Sequence, residues 1–146
     1  MHEHIRVEDC IFCKIVAREA PAHRVFEDDQ SLVFMDIFPV AEGHTLLIPK
    51  RHCTNLLDAD VRDLERVVGH SHRVATAIRD VLAPDGIGVF QLNGAAAGQT
   101  VFHYHMHLIP RMHGDALMLH GRTPGDPAKL AETARKLAAV LNPVEG

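Results

Sequence analysis

The chain has 146 residues, 47% hydrophobic and 23% charged, which suits one folded domain burying roughly two thirds of its unfolded surface. Its net charge of −4 and lack of a basic stripe argue against a protein that binds nucleic-acid backbones. No apolar run approaches the roughly 20 residues of a membrane span, and the start (Met1 to His4) has no signal-type apolar segment, so a cytoplasmic location without membrane contact is expected.

Residues 1–8 read as a polar, loose lead, with His2 and His4 solvated. Asp9 is a candidate N-cap for a short helix over about 10–18, with Pro21 beyond its end. Arg24–Glu27 and Leu32–Asp36 flank the turn Asp28-Asp29-Gln30-Ser31 as a β-hairpin. His44–Pro49 reads as a third strand closed by proline. The period then becomes helical over 60–82, capped by Asp58 or Asp60. Leu64, Val67, Val68, Val74, Ala75, Ile78, Val81 and Leu82 form its apolar stripe, and Pro84-Asp85-Gly86 stops it. Gly88–Asn93 is a fourth strand, Gly94–Thr100 a loop of small residues, and Val101–Pro110 a fifth strand antiparallel to the fourth. Asp126-Pro127 opens a final helix carrying Leu130, Ala134, Leu137 and Leu141. The expected fold is α+β, one domain over 1–146: a five-stranded, mostly antiparallel sheet, one long helix, a short N-terminal helix and a C-terminal helix.

The unusual composition lies in imidazole, with 12 histidines against one tyrosine and no tryptophan. His103, His105 and His107 alternate with Phe102, Tyr104, Met106 and Leu108. On a strand this puts the three rings on one face, about 7 Å apart, with an apolar face opposite. Such a row could hold a zinc ion through two of its rings and a third ligand from elsewhere, the end rings being too far apart for all three to share one ion. It could equally supply a neutral imidazole as nucleophile and proton carrier. The glycine- and alanine-rich loop ahead of it lets backbone N–H groups approach a phosphate, with the Thr100 hydroxyl beside them. Cys10 and Cys13 make a C-x-x-C whose thiols share a helix face. In a reducing compartment, metal or redox chemistry is favoured over a disulfide framework, with two unpaired buried thiols as the alternative. A Cys2His2 zinc site would need two histidines, for which His52 and His103 are candidates, and Cys53 reads as a packing residue.

His103-Tyr104-His105-Met106-His107-Leu108-Ile109 resembles the signature of the histidine triad (HIT) nucleotide-binding proteins. Asn93 and Gly98-Gln99-Thr100 are similar to that family's phosphate loop. Cys10–Ile15, Glu27–Asp29, Phe34–Ile37, Gly43–Lys50 and His52 follow in the family's order. The likeness covers about 10–111, leaving 112–146 as a variable extension that bears on substrate selection. The resemblance implies that His105 attacks the α-phosphorus of a nucleoside phosphate ester, amide or anhydride, forming a covalent nucleotidyl-histidine that water then hydrolyses. It implies that His107 contacts the phosphate and helps protonate the leaving group, while Asn93, the backbone of Gln99, and Thr100 hold the phosphate oxygens. Asp36 would bind the ribose hydroxyls, Phe12, Ile15, Phe34 and Ile37 would sandwich a base, and His44 would flank that pocket. Bacterial triad proteins with this C-x-x-C suggest Cys10, Cys13, His52 and His103 as the ligands of a structural zinc. The family also implies a purine nucleotide or nucleotide conjugate as ligand, and a homodimer meeting through the long helix and a sheet edge. Two other readings stand beside it: a zinc-dependent hydrolase with the triad as ligands, and a non-catalytic purine nucleotide-binding module.

Overall fold

Segments rich in branched and aromatic residues form five strands: β1 (Arg24–Glu27), β2 (Ser31–Met35), β3 (Thr45–Pro49), β4 (Gly86–Phe90) and β5 (Met106–Arg111). The computed structural model, which describes residues 6–142, adds three helices, α1 (Ile11–Val16), α2 (Val61–Leu82) and α3 (Pro127–Leu141). The strands pair antiparallel in the order β1-β2-β3-β5-β4, giving the α+β architecture expected from the sequence. His2 and His4 lie outside the described residues. No helix among the described residues is long and apolar enough to cross a membrane.

Side-chain alternation divides the sheet into two faces. Val33 and Met35 of β2, Leu47 of β3 and Met106 and Leu108 of β5 face a core closed by Val67, Val74 and Ile78 of α2 and by Leu130, Ala134 and Leu137 of α3. Leu32, Phe34, Leu46 and Ile48 face the other way, against Phe12, Cys13 and Ile15 of α1. Across that second face the register sets Phe34 opposite Leu46, Leu46 opposite His107, and His107 opposite Phe90. One row thus crosses four strands and brings β5 to the base of the site. Leu108 is fully buried on the helix side. Leu108→Ala should therefore cost about 2–5 kcal/mol, read as a lower urea midpoint; an unchanged midpoint would remove Leu108 from the core.

Several local expectations are corrected. Asp9 is not the cap of α1; Cys10 is, its Sγ accepting from the Cys13 N–H at 3.3 Å. Val68, assigned to the apolar stripe of α2, is 54% exposed. β4 ends at Phe90 because Gln91 and Asn93 turn to each other, their side-chain amides exchanging hydrogen bonds of 2.8 and 3.0 Å. The largest correction concerns the histidine strand, which begins at Met106 rather than Val101. Ahead of Met106, the Tyr104 N–H donates to the Cys53 carbonyl (2.8 Å) and the His103 ring reaches the Pro49 carbonyl (2.8 Å). Of the three histidines only His107 lies in the strand. Pro110 does not end it either: pairing with β3 stops at Leu108, so Pro110 has β4 alone beside it and its missing N–H breaks no central ladder.

Candidate active site and metal centre

The bend at 101–105 sends successive histidines to different places. His103 is fully buried beside α1, where its Nδ1 lies 3.4 Å from Cys10 Sγ, 3.6 Å from Cys13 Sγ and 3.2 Å from His52 Nδ1. Cys13 Sγ lies 3.3 Å from His52 Nδ1, and one donor atom from each of the four residues falls within 4.8 Å of every other. A tetrahedral zinc with Zn–S of about 2.3 Å and Zn–N of about 2.0–2.1 Å has ligand–ligand edges of roughly 3.3–3.8 Å, so the set fits that ion. Its surroundings agree. The His103 Nε2–H donates to the Pro49 carbonyl, leaving the Nδ1 lone pair to face the thiols. The Val7 N–H donates to Cys13 Sγ at 3.4 Å, a contact that suits a thiolate. Burial, with Cys10 beside it, pushes the Cys13 thiol up to about 11, and a bound cation is what would hold it deprotonated. Cys53 lies apart, in the helix-side core.

His105 and His107 stand at the base of an open cavity of about 540 Å³, their ring centroids 4.8 Å apart. Phe12 and Ile15 of α1, Phe34 of β2, and Asp36 and Ile37 just after β2 line it with Thr100. The His105 Nδ1–H donates to the His103 carbonyl at 2.7 Å, which leaves Nε2 with its lone pair. Burial lowers the His105 pKa, so the ring is held neutral. Phe12 meets it edge-on at 5.1 Å.

His107 is oriented through a chain of hydrogen bonds. The Val40 N–H donates to His44 Nδ1 at 3.0 Å, so the proton of a neutral His44 sits on Nε2. That Nε2 lies 2.9 Å from His107 Nδ1, which must accept, and His107 therefore carries its proton on Nε2. His107 Nε2 is buried and has no hydrogen-bond partner among the described residues. Phe90 stacks on the ring at 4.3 Å and 11°. Asp36, His44 and His107 also bring donor atoms within 4.8 Å of each other, but the His44 Nε2 that a metal would need is the proton donor of this chain. The Asp36 carboxylate accepts from the Phe38 N–H at 2.8 Å, and burial raises its pKa.

Burial, more than neighbouring charge, pushes His107 down to about 2 and His44 to about 3, from an ordinary value near 6.5. Both folded values are lowered, so the neutral rings stabilise the fold fully above about pH 6.5, and that contribution is lost as pH falls toward 3, where the unfolded chain binds protons the folded one refuses. Unfolding free energies from urea titrations between pH 7 and pH 4 should fall with a slope approaching about 1.4 kcal/mol per pH unit for each ring. A flat profile would mean that the rings accept protons within the fold.

Other expected site residues occupy less direct positions. His44 is fully buried behind His107 rather than on the pocket wall. The Asn93 Oδ1 accepts from the Leu56 N–H at 2.8 Å. The Gln99 N–H donates to the Gly94 carbonyl (3.1 Å), while its side chain ties Gly94, Thr54 and Val101 together. Among the residues that escape sequence reasoning are Leu46 and His120 on the cavity wall and Phe90, which stacks on His107. Leu46 and Phe90 enter only through strand register, which a hairpin alignment of β4 and β5 could have suggested for Phe90. His120, also on the cavity wall, lies in a loop with no periodic signal.

A HIT domain family model matches residues 17–114. The protein hit of Bacillus subtilis is 43% identical over 123 residues, covering 84% of this chain and 85% of that protein. The adenylylsulfatase HINT3 of Arabidopsis thaliana is 34% identical over 133 residues, 91% of this chain and 68% of that protein. Among solved structures, a Zn-bound histidine triad family protein from Mycobacterium smegmatis superimposes with a TM-score of 0.80 at 40% identity, covering 91% of this chain and 93% of that one.

Proposed function

The chain belongs to the HIT domain family, and from that premise we propose that it is a hydrolase or nucleotidyl transferase acting at the α-phosphorus of a nucleoside phosphate derivative. The observation that carries this reading is the pair of fixed tautomers: a free Nε2 lone pair on His105 beside a free Nε2–H on His107, both at one cavity. The His105 Nε2 forms a bond to phosphorus as the bond to the leaving group breaks. The positive charge that develops on His105 is held through its Nδ1–H by the His103 carbonyl. The His107 Nε2–H meets the departing atom. A basic leaving group such as an amine takes one further proton, supplied by solvent through the open cavity, and departs as the neutral amine. Water then displaces the nucleotide from His105.

Phe12, Ile15, Phe34 and Ile37 form an apolar slot suited to a purine, with the Asp36 carboxylate as acceptor for ribose hydroxyls. Thr100 faces the phosphate position, and Gln99 and Asn93 hold the loop in shape behind it. Cys10, Cys13, His52 and His103 would hold a structural zinc, which anchors α1 and the 101–105 bend and takes no part in the reaction. Exposed Val61 and Val68 on α2 and Val89 on the edge strand support a homodimer through that helix and edge. The name of the plant relative makes sulfate one candidate leaving group. The test is release of AMP from adenylyl sulfate, an adenosine phosphoramidate and a dinucleotide. Turnover of at least one is expected. Saturable nucleotide binding without turnover of any would leave the non-catalytic module.

A further inference from the structure

His120 lies on the segment between β5 and α3, which returns across the cavity and presses on the chain just after β2. There the Gly125 N–H donates to the Ile37 carbonyl at 2.8 Å. Gly121 sits so close that a Cβ would run into the Phe38 carbonyl oxygen and come within 2.6 Å of that of Pro39. The segment is thereby held in place, and the half-buried His120 ring forms part of the same wall as His105 and His107. Its centroid is 6.0 Å from that of His107, edge to face.

An anionic ligand in this cavity faces a shortage of positive charge. No lysine or arginine lines it among the described residues, and its only cationic candidates are imidazoles. His105 and His107 are both held neutral by burial. His120 is tied differently: its Nε2 lies 2.8 Å from the Gly98 carbonyl, which can only accept, so Nε2 carries a proton in either charge state. No described residue bonds its Nδ1. While His120 is neutral, that Nδ1 is an acceptor and repels a phosphate oxygen; adding a proton makes it a charged donor.

We propose that His120 is the cation of this site, taking up a proton on Nδ1 as an anionic nucleotide binds and pairing with its phosphate. The inference rests on the nucleotide reading above and adds a residue outside the triad. The titratable groups facing His120 are His107 from β5, His105 from the run ahead of it and Asp36 from the end of β2, with His44 behind His107. Gly98 contributes only its carbonyl. A positive charge at position 120 also lowers the pKa values of Asp36, His44, His105 and His107, a smaller influence than burial but one common to all four. His120 is thus placed to sense the ligand's charge for the whole site.

The test is calorimetric titration of the protein with the methyl ester of adenosine 5′-monophosphate, whose single negative charge does not itself titrate near neutrality, in buffers of different ionisation enthalpy at about pH 7.5. Uptake approaching one proton per bound ester is expected, with none on binding adenosine. His120→Gln keeps a donor for the Gly98 carbonyl but cannot be charged; it should abolish the uptake and weaken the ester roughly tenfold, with adenosine changed by less than about twofold. His120→Lys, charged beforehand, should bind the ester without uptake. Ester binding without proton uptake in the native chain, or uptake that persists in His120→Gln, overturns the assignment. Failure of both ester and adenosine to bind overturns the functional reading itself, and this inference with it.

Discussion

Turnover should fall by roughly ten-thousand-fold or more in His105→Ala, with no change in the ability of the chain to fold. The structure restricts what else could do this work. His103 is committed through both ring nitrogens, one toward Cys10 and Cys13 and the other to the Pro49 carbonyl. His107 carries an N–H, not a lone pair, on its Nε2, because its Nδ1 accepts from His44. His105 alone of the three presents an unprotonated nitrogen to the cavity, fixed by the His103 carbonyl. Incubating the native chain with an adenosine phosphoramidate and quenching should trap an acid-labile phosphorus adduct, absent from His105→Ala. Full turnover by the variant would show the nucleophile to be another group. His105 is almost fully buried against Phe12, so the urea midpoint of the variant should fall as well, and turnover compared at urea concentrations where both chains are fully folded separates loss of chemistry from loss of fold.

The second large effect concerns the four-residue metal centre. Cys13→Ser should release zinc and lower unfolding stability by roughly 4 kcal/mol, the stabilisation given by a ligand present at about a thousand times its dissociation constant. The loss should be smaller than the roughly 10–16 kcal/mol of a zinc-finger peptide, because the sheet here has its own core on the helix side. Metal analysis alongside urea denaturation checks it: native protein with one zinc and a higher midpoint, variant with neither. Equal midpoints and no zinc in either would leave Cys10 and Cys13 as ordinary buried thiols. Because His103 precedes His105 by two residues and its carbonyl accepts the His105 Nδ1–H, activity should fall with the metal even though the ion touches no substrate.

The sequence by itself determined the order and kind of the elements. Period-two runs with proline and glycine punctuation gave the strands, and the 3.6-residue stripe with Asp60 as cap gave α2, because these signals depend only on neighbours within a turn or a pleat. The resemblance to the triad family likewise placed Cys10, Cys13, His52 and His103 together, and the structure brings those four into one cluster.

What the sequence did not determine is the path of the chain between His103 and Met106. Alternation alone implies three equivalent rings on one strand. Tertiary contacts at 49, 52 and 53 compete for that backbone and turn it out of the ladder, so His103 goes to the thiols and His105 to the cavity. The proton positions on His44, His105 and His107 were equally illegible. A tautomer is set by the partner of the other nitrogen, and those partners are Val40, the His103 carbonyl and His44, brought together by folding. His120 is the extreme case: 13 positions beyond His107 in a loop without periodicity, it reaches the cavity only because the segment bearing it packs across Phe38 and Pro39. Local patterns fix local geometry, whereas a site assembled from five separate stretches of chain is fixed by the packing that joins them.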